Sequence, residues 1–174
     1  MSSPNDRQTV FLQLIRDNKG ILYKICHSYC RNKDDHEDLM QEMIYQLWRS
    51  GEEFDPHYKL STWMYRIALN VAISFYRKQT RSGARVELGF QVMELEDPGS
   101  GPEEELEQKI DLLQQFIAGL GELDKALMIL YLEERPYREI AEILGITETN
   151  VATKLSRIKG RLKQQFEQSQ KLFL

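Results

Sequence analysis

The chain has 174 residues, of which 41% are hydrophobic and 29% are charged, so it can build one or two compact cores and is too apolar to be disordered. No apolar run approaches the roughly 20 residues that a membrane-spanning helix needs, and the N-terminus lacks the basic-then-apolar order of a signal peptide. These features predict a folded cytoplasmic protein with no membrane insertion.

The net charge of −4 is distributed unevenly along the chain. Residues 1–82 hold 12 Lys and Arg against 10 Asp and Glu, and residues 108–174 hold 10 against 9. Residues 83–107 hold 1 against 8 and include the turn-forming run Asp97–Pro102. This pattern predicts a flexible acidic linker, residues 83–107, between an N-terminal domain, residues 1–82, and a C-terminal domain, residues 108–174.

The N-terminal domain has helical spacing of its apolar residues and no sustained strand-like alternation. A first helix is predicted to be interrupted at Asn18–Gly20, and Asp34 or Asp35 is predicted to cap a second. A third is predicted to run from Ser61, as its cap, to about Arg81. The predicted apolar face of this third helix is formed by Met64, Ile67, Ala68, Val71 and Phe75.

The C-terminal domain shows the same helical spacing. The predicted helices are Leu106–Leu120, Asp124–Glu133 and Tyr137–Leu144, followed by a last helix that Thr147 caps and that runs toward Phe166. The predicted fold class is therefore all-α, with two small helical domains joined by the linker.

The corner between the last two helices has the features of a DNA-binding helix-turn-helix. Ala141 is the small residue needed where two helices cross closely, and Gly145 can take the positive φ of the turn. The alternative is an ordinary helical hairpin, whose corner also favours glycine. Short polar side chains that can reach base edges and cations that can bind phosphates follow the corner. The predicted contacts to duplex DNA are Thr147, Glu148, Thr149, Asn150, Thr153, Lys154, Arg157 and Arg161.

The second helix of the N-terminal domain begins with an acidic, glutamine-bearing stretch, Asp35–Glu42. Phosphates would repel this helix, so its predicted partner is a basic protein surface. The third helix is the opposite, because cations alternate with aromatic rings that suit the unstacked bases of single-stranded nucleic acid. The alternative is that Trp63 and Phe75 belong to the core. The polar and cationic residues of this pattern are Lys59, Arg66, Asn70, Arg77, Lys78 and Arg81, and its aromatic rings are Trp63, Tyr65, Phe75 and Tyr76.

No site for catalysis, a cofactor or a metal is predicted. Cys26, His27, Cys30 and His36 lack the second ligand pair that a tetrahedral site needs, so we expect reduced, packed cysteines. There is no glycine-rich nucleotide-binding loop and no nucleophile triad. A dimeric operator-binding regulator and a purely structural helical adaptor are the alternatives to the function that the motifs below indicate.

Three motifs, in order along nearly the whole chain except the linker, resemble those of bacterial RNA polymerase sigma factors of the extracytoplasmic-function group of the sigma-70 family. They are Asp35–Glu42, Ser61–Asn70 and Tyr137–Gly145. The last helix departs from many relatives in carrying Val151-Ala152-Thr153-Lys154 where those have Val-Lys-Ser-Arg, so that it has one cation fewer.

The resemblance implies a non-enzymatic factor that directs promoter-specific initiation. Residues 52–60 and the helix from Thr62 to Arg81 would capture the melted minus-ten strand, the helix-turn-helix would read the minus-thirty-five duplex, and the linker would thread toward the RNA exit path. The implied partners are core RNA polymerase, through its clamp coiled coil and flap, promoter DNA, both duplex and single-stranded, and an anti-sigma factor. Docking on the clamp would use Asp35, Asp38, Gln41 and Glu42.

Overall fold

The computed structural model describes residues 4–81 and 102–172, and all regular structure within these ranges is helical, which confirms the predicted fold class. Residues 83–101 of the predicted linker lie outside the described residues. The chain forms two compact units, one built on α1–α3 and the other built mainly on α4–α7. The helices are α1 (Pro4–Tyr29), α2 (Lys33–Ser50), a 3₁₀ turn (Gly51–Glu53), α3 (Leu60–Arg81), α4 (Pro102–Ala118), α5 (Glu122–Leu132), α6 (Tyr137–Leu144) and α7 (Glu148–Leu172).

The N-terminal unit is a three-helix bundle in which each helix packs against the other two. Side chains with no exposed surface fill its centre, and Tyr65 is the largest of them. The buried face of α3 differs from the predicted one, because Ile67, Val71 and Phe75 are only partly buried. Packing against α1 and α2 instead centres the buried face on Met64, Tyr65, Ala68, Leu69 and Ala72.

Three predicted helix signals in the N-terminal unit are also corrected. Helix α1 continues through Asn18–Gly20, because buried side chains on its later turns outweigh the roughly 1 kcal/mol that one glycine costs a helix. The cap of α2 is Asn32, whose Oδ1 accepts the backbone N–H of Asp35 at 2.7 Å. Helix α3 begins at Leu60, one residue before the predicted cap Ser61.

The C-terminal unit packs around α5, whose residues 125–130 are all buried. Helix α4 begins at Pro102 and not at Leu106, so residues 102–107 of the predicted linker are helical. The reason is local: proline is tolerated in the first turn of a helix, and Glu103–Glu105 interact favourably with the helix dipole there. Helix α7 extends beyond the predicted Phe166 to Leu172.

The predicted turn between α6 and α7 is confirmed. Gly145 has φ +67°, and the next N–H, that of Ile146, donates to the carbonyl of Ala141 at 3.1 Å, so the turn closes the end of α6. Thr147 caps α7 by accepting the N–H of Asn150 on its Oγ1 at 3.1 Å. The start of α7 therefore follows a tightly hydrogen-bonded corner.

Candidate functional site

One row of polar and cationic side chains runs along α7 beside its buried face. Its members lie at steps of four, three and four residues, next to the buried row Val151, Leu155 and Ile158. We call it the α7 row: it consists of Asn150, Lys154, Arg157 and Arg161. The other predicted duplex contacts, Thr147, Glu148, Thr149 and Thr153, are exposed on the first turns of the same helix.

The side chains at the start of α7 differ in the hydrogen bonds and ion pairs that they already form. The Thr153 hydroxyl donates to the carbonyl of Thr149 at 2.9 Å, and the Thr147 hydroxyl oxygen is used by the cap. Lys154 is half-buried, with its Nζ 3.9 Å from a carboxylate oxygen of Asp124. Asn150 is exposed and has the paired donor and acceptor of an amide, the geometry that suits adenine in the major groove.

A second row begins at Lys59, the residue just before α3, and continues along the face of α3 opposite its core. Its members follow one another at steps of four, three, four and seven residues, and all are exposed except Trp63, which is half-buried. We call it the α3 row: it consists of Lys59, Trp63, Arg66, Asn70 and Arg77.

Several residues predicted for strand capture lie off this row. Tyr65 is fully buried in the core, which corrects its prediction as a ring for unstacked bases. Thr62 is only 8% exposed and belongs to the packed face of α3, which is a correction to its predicted role. Lys78 is exposed on the side of α3 that faces α2. Residues that are close to the α3 row in sequence, such as Thr62 and Lys78, therefore lie on other faces of the helix.

The segment that joins α2 to α3 brings a second ring beside Trp63. The ring centroid of Phe54 lies 5.1 Å from that of Trp63. Asp55 accepts the backbone N–H of His57 at 2.9 Å and lies 2.7 Å from its ring nitrogen, and these hydrogen bonds lower the pKa of Asp55. Tyr58 is 58% exposed. The segment therefore presents aromatic side chains next to the start of the α3 row.

The acidic residues predicted for docking meet at a groove of about 1080 Å³ between α2 and α3. Asp38, Gln41 and Glu42 are exposed, and Asp35 is half-buried at the start of α2. The opposite wall belongs to α3 and includes Lys78. We call this the α2–α3 groove: it is lined by Asp35, Asp38, Gln41, Glu42, Tyr45, Gln46, Asn70, Val71, Ser74, Phe75, Lys78 and Gln79.

The apolar part of this groove is not among the surfaces predicted from the sequence. Val71 and Phe75, which belong to the predicted apolar face of α3, line it together with Tyr45, which is 55% exposed. The apolar groove between α1 and α2, with Phe11 and Trp48 in T-shaped contact at 4.9 Å, is not among those surfaces either. The sequence feature that could have indicated exposed apolar surface is that α3 has apolar residues on more than one face.

Cys26 on α1 and Cys30 just after it are not joined in a disulfide bond. Burial raises the pKa of Cys26 to about 12, so it is a packing residue and not a reactive thiol. In the ranges that the structure describes, no three His, Cys, Asp or Glu side chains are grouped as metal ligands would be. No described helix is long and apolar enough to cross a membrane.

Comparison with known families gives one match for each unit. Residues 14–82 match the family described as Sigma-70 region 2, and residues 110–162 match the family described as Sigma-70, region 4. The two matches follow one another in the order of the two units and together span more than two thirds of the chain.

Similar proteins of known identity cover nearly the full chain. The ECF RNA polymerase sigma factor SigW of Bacillus subtilis is 28% identical over 167 residues, which are 91% of this chain and 89% of SigW. The RNA polymerase sigma factor SigV of the same bacterium is 29% identical over 161 residues, which are 90% of this chain and 91% of SigV.

Two solved structures share the fold. CnrH, a sigma factor of Cupriavidus metallidurans solved with the cytosolic domain of CnrY, superposes with a TM-score of 0.64 at 19% identity, over 92% of this chain and 89% of CnrH. The sigma factor RpoE of Bartonella quintana, solved with the anti-sigma factor NepR, gives a TM-score of 0.63 at 20% identity. The match covers 93% of this chain and 97% of RpoE.

Proposed function

The chain belongs to the sigma-70 family, as a member of its extracytoplasmic-function group, and from this premise we propose how its surfaces divide the work of promoter recognition. It binds core RNA polymerase and promoter DNA and directs promoter-specific initiation, and like its family it is not an enzyme. In our proposal, residues 108–174 read the minus-thirty-five duplex and residues 1–82 dock on the polymerase and capture the melted minus-ten strand. The observation that carries this division is that each unit presents its own exposed row of polar and cationic side chains.

The α7 row divides further into reading and anchoring. Asn150, with Glu148 and Thr149 beside it, stands on the first turn of α7, which in a helix-turn-helix is the part that contacts base edges. Arg157 and Arg161 lie two and three turns further on and bind phosphates. Lys154 can join them after leaving Asp124, because a pair that water still reaches and whose charged atoms are 3.9 Å apart is weak.

The α3 row captures the single strand. Its cations follow the phosphates while Trp63, supported by Phe54, offers a ring for stacking. A duplex would not present the base faces that such rings bind, so this surface suits a strand that is already melted. The half-buried state of Trp63 makes it both a packing residue and a contact.

The carboxylates of α2 dock on the clamp coiled coil of core polymerase in this proposal. Asp35, Asp38 and Glu42 line one wall of the α2–α3 groove together with Gln41. Their charge favours a basic protein and disfavours phosphates. Because the partner acts inside the cell, a cytoplasmic location follows from the same proposal.

The test begins with in vitro transcription from a genomic DNA library with purified core polymerase. Start sites that depend on the added chain define its promoters, and a library without such starts would refute the function.

Duplex and strand binding are then measured separately with the holoenzyme. Arg157→Ala should weaken duplex binding evenly across sequences and lower the salt slope by about 1, whereas Asn150→Ala should change base preference. Arg66→Ala should weaken only the binding of the single strand.

We also propose that an anti-sigma factor holds the chain inactive. The support is that the two similar folds, CnrH and RpoE, were each solved bound to another protein, which for RpoE is an anti-sigma factor. A protein that co-purifies in equal amount from native cells should block transcription in the assay above. If it binds without blocking, this proposal fails.

A further inference from the structure

A carboxylate of α5 lies beside the α7 row. Asp124 is in the first turn of α5, and one of its carboxylate oxygens is 3.9 Å from Nζ of Lys154, a member of that row. The side chains of Lys154 and Asp124 are 32% and 28% exposed, so protein covers most of both. Among the described residues, neither forms a second ion pair. Lys154 is therefore already paired within the folded unit.

The other two cations of the α7 row differ from Lys154 in this respect. Arg157 is exposed, and the guanidinium carbon of Arg161 lies 6.0 Å from the centroid of the Phe116 ring, a contact that leaves the positive charge in place. Within residues 4–81 and 102–172, neither arginine forms an ion pair with a carboxylate. The charge of the row is thus reduced at Lys154, its cation nearest to the corner of the helix-turn-helix.

A duplex that binds along this row must compete with Asp124 for Lys154. Lysine binds a phosphate through its charge, so Nζ can serve a phosphate only by sharing or leaving the carboxylate. After that exchange the carboxylate is unpaired beside a row that holds phosphates, and like charges repel one another. Because protein covers most of the pair, salt screens this repulsion less than it screens the repulsion between fully exposed groups.

We propose that Asp124 restrains the binding of duplex DNA by holding Lys154. This inference rests on the proposed reading of the duplex by α7 and adds a residue of α5 to it. Phosphates are alike in every sequence, so the restraint applies equally to all duplexes. Asp124 is therefore a positioning residue that sets the strength of duplex binding and leaves base preference to Asn150 and its neighbours.

The experiment measures the binding of holoenzyme to two labelled duplexes by fluorescence anisotropy. One duplex is taken from upstream of a start site found in the transcription assay above, and the other is its scrambled sequence. Asp124→Asn should tighten the binding of both by about two- to fivefold, the range that a weak ion pair allows, and the gain should shrink at high salt. Asp111→Asn, the same substitution at an exposed carboxylate of α4, is the matched control and should change neither.

A double-mutant cycle then tests whether Asp124 acts through Lys154. In the background of Lys154→Ala, Asp124→Asn should have little effect, because the cation that it releases is absent. A carboxylate in the first turn of α5 also interacts favourably with the helix dipole, so thermal unfolding checks that each variant is folded at the assay temperature. Asp124→Ser, which keeps a short polar side chain at that position, repeats the measurement if Asp124→Asn is unfolded.

Unchanged or weaker duplex binding by the folded Asp124 variant would overturn the inference, and so would equal tightening with and without Lys154. Weaker binding would mean that Asp124 presents Lys154 to the phosphates. If Arg157→Ala weakens duplex binding while the Asp124 variant has no effect, only this inference fails. If neither changes duplex binding, the reading of the duplex by α7 fails too.

Discussion

Glu134 is the described residue other than glycine that adopts a positive φ, at 56°. It follows α5 at the position where glycine commonly ends a helix, and the next N–H, that of Arg135, donates to the carbonyl of Leu130 at 3.1 Å. A residue with a Cβ pays a steric cost for this conformation, so the corner before the helix-turn-helix is closed by its hydrogen bonds despite local strain.

Replacing Glu134 by glycine should stabilise the C-terminal unit. We expect Glu134→Gly to raise its free energy of unfolding by about 0.5–1 kcal/mol, since the relief of strain exceeds the added entropy of the unfolded chain. Urea unfolding followed by circular dichroism measures the change. The neighbouring Glu133→Gly is the control, because Glu133 has φ −79° and glycine there should only destabilise. Equal effects of the two substitutions would contradict the assignment.

His36 is a second residue whose surroundings have a measurable consequence. Its Nε2 is buried without a hydrogen-bond partner among the described residues, and its ring lies 5.1 Å from that of His27 and 6.0 Å from that of Tyr23. Burial, and then the charge of His27, lower the pKa of His36, and Glu37 opposes them. The folded state therefore favours the neutral ring.

The sign of the pH dependence follows from this lowered pKa. As pH falls through about 6.5, the unfolded chain takes up the proton before the folded chain does, so the free energy of unfolding should decrease. His36→Gln removes this component and should flatten the change in stability between pH 7.5 and pH 5.5. Denaturant unfolding at both pH values tests it. Parallel losses in the variant and the unchanged chain would show that other groups are responsible.

At the scale of the element, the helix-turn-helix depends on one glycine and not on another. Gly145 has φ +67°, whereas Gly160 lies in the middle of α7, and a Cβ added there meets nothing within 4 Å. Gly145→Ala should lower the free energy of unfolding by about 1 kcal/mol, and Gly160→Ala should raise it by about 0.5–1 kcal/mol. Thermal unfolding of the two variants compares them directly. A stabilising Gly145→Ala would mean that the turn takes another conformation.

At the scale of the whole molecule, the two units have separate cores, so a change on one surface need not disturb the other unit. Asp38→Arg reverses a charge in the wall of α2 and should abolish association with core polymerase while residues 108–174 stay folded. Co-purification with core and amide hydrogen exchange of the C-terminal unit measure the two effects. Asp17→Arg on α1 is the control for charge reversal. If Asp38→Arg still co-purified with core polymerase, the assignment of α2 to the docking surface would be wrong.

The match to Sigma-70 region 2 also decides between functions that the helix-turn-helix alone left open. A dimeric operator-binding regulator or a helical adaptor would not be expected to match that family over residues 14–82. The helix-turn-helix is therefore one part of a factor that works with polymerase. Its contacts to DNA need not supply all of the affinity for a promoter.

The sequence by itself determined the features whose causes are local. Apolar spacing of three and four residues fixed the all-α class, and Gly145 with Thr147 fixed the corner between α6 and α7, since φ preference and capping act within a few residues. The charge pattern separated the acidic α2 from the cationic α3.

Only the tertiary structure decided which side of α3 is buried. Its apolar residues occupy more than half of its circumference, so periodicity allowed a core built on Val71 and Phe75 as readily as one built on Tyr65 and Leu69. Packing against both α1 and α2 selected the second, which left the first two side chains half-exposed in the α2–α3 groove. The same packing places Lys78, which helical spacing puts on the side of Val71 and Phe75, at the groove that faces α2.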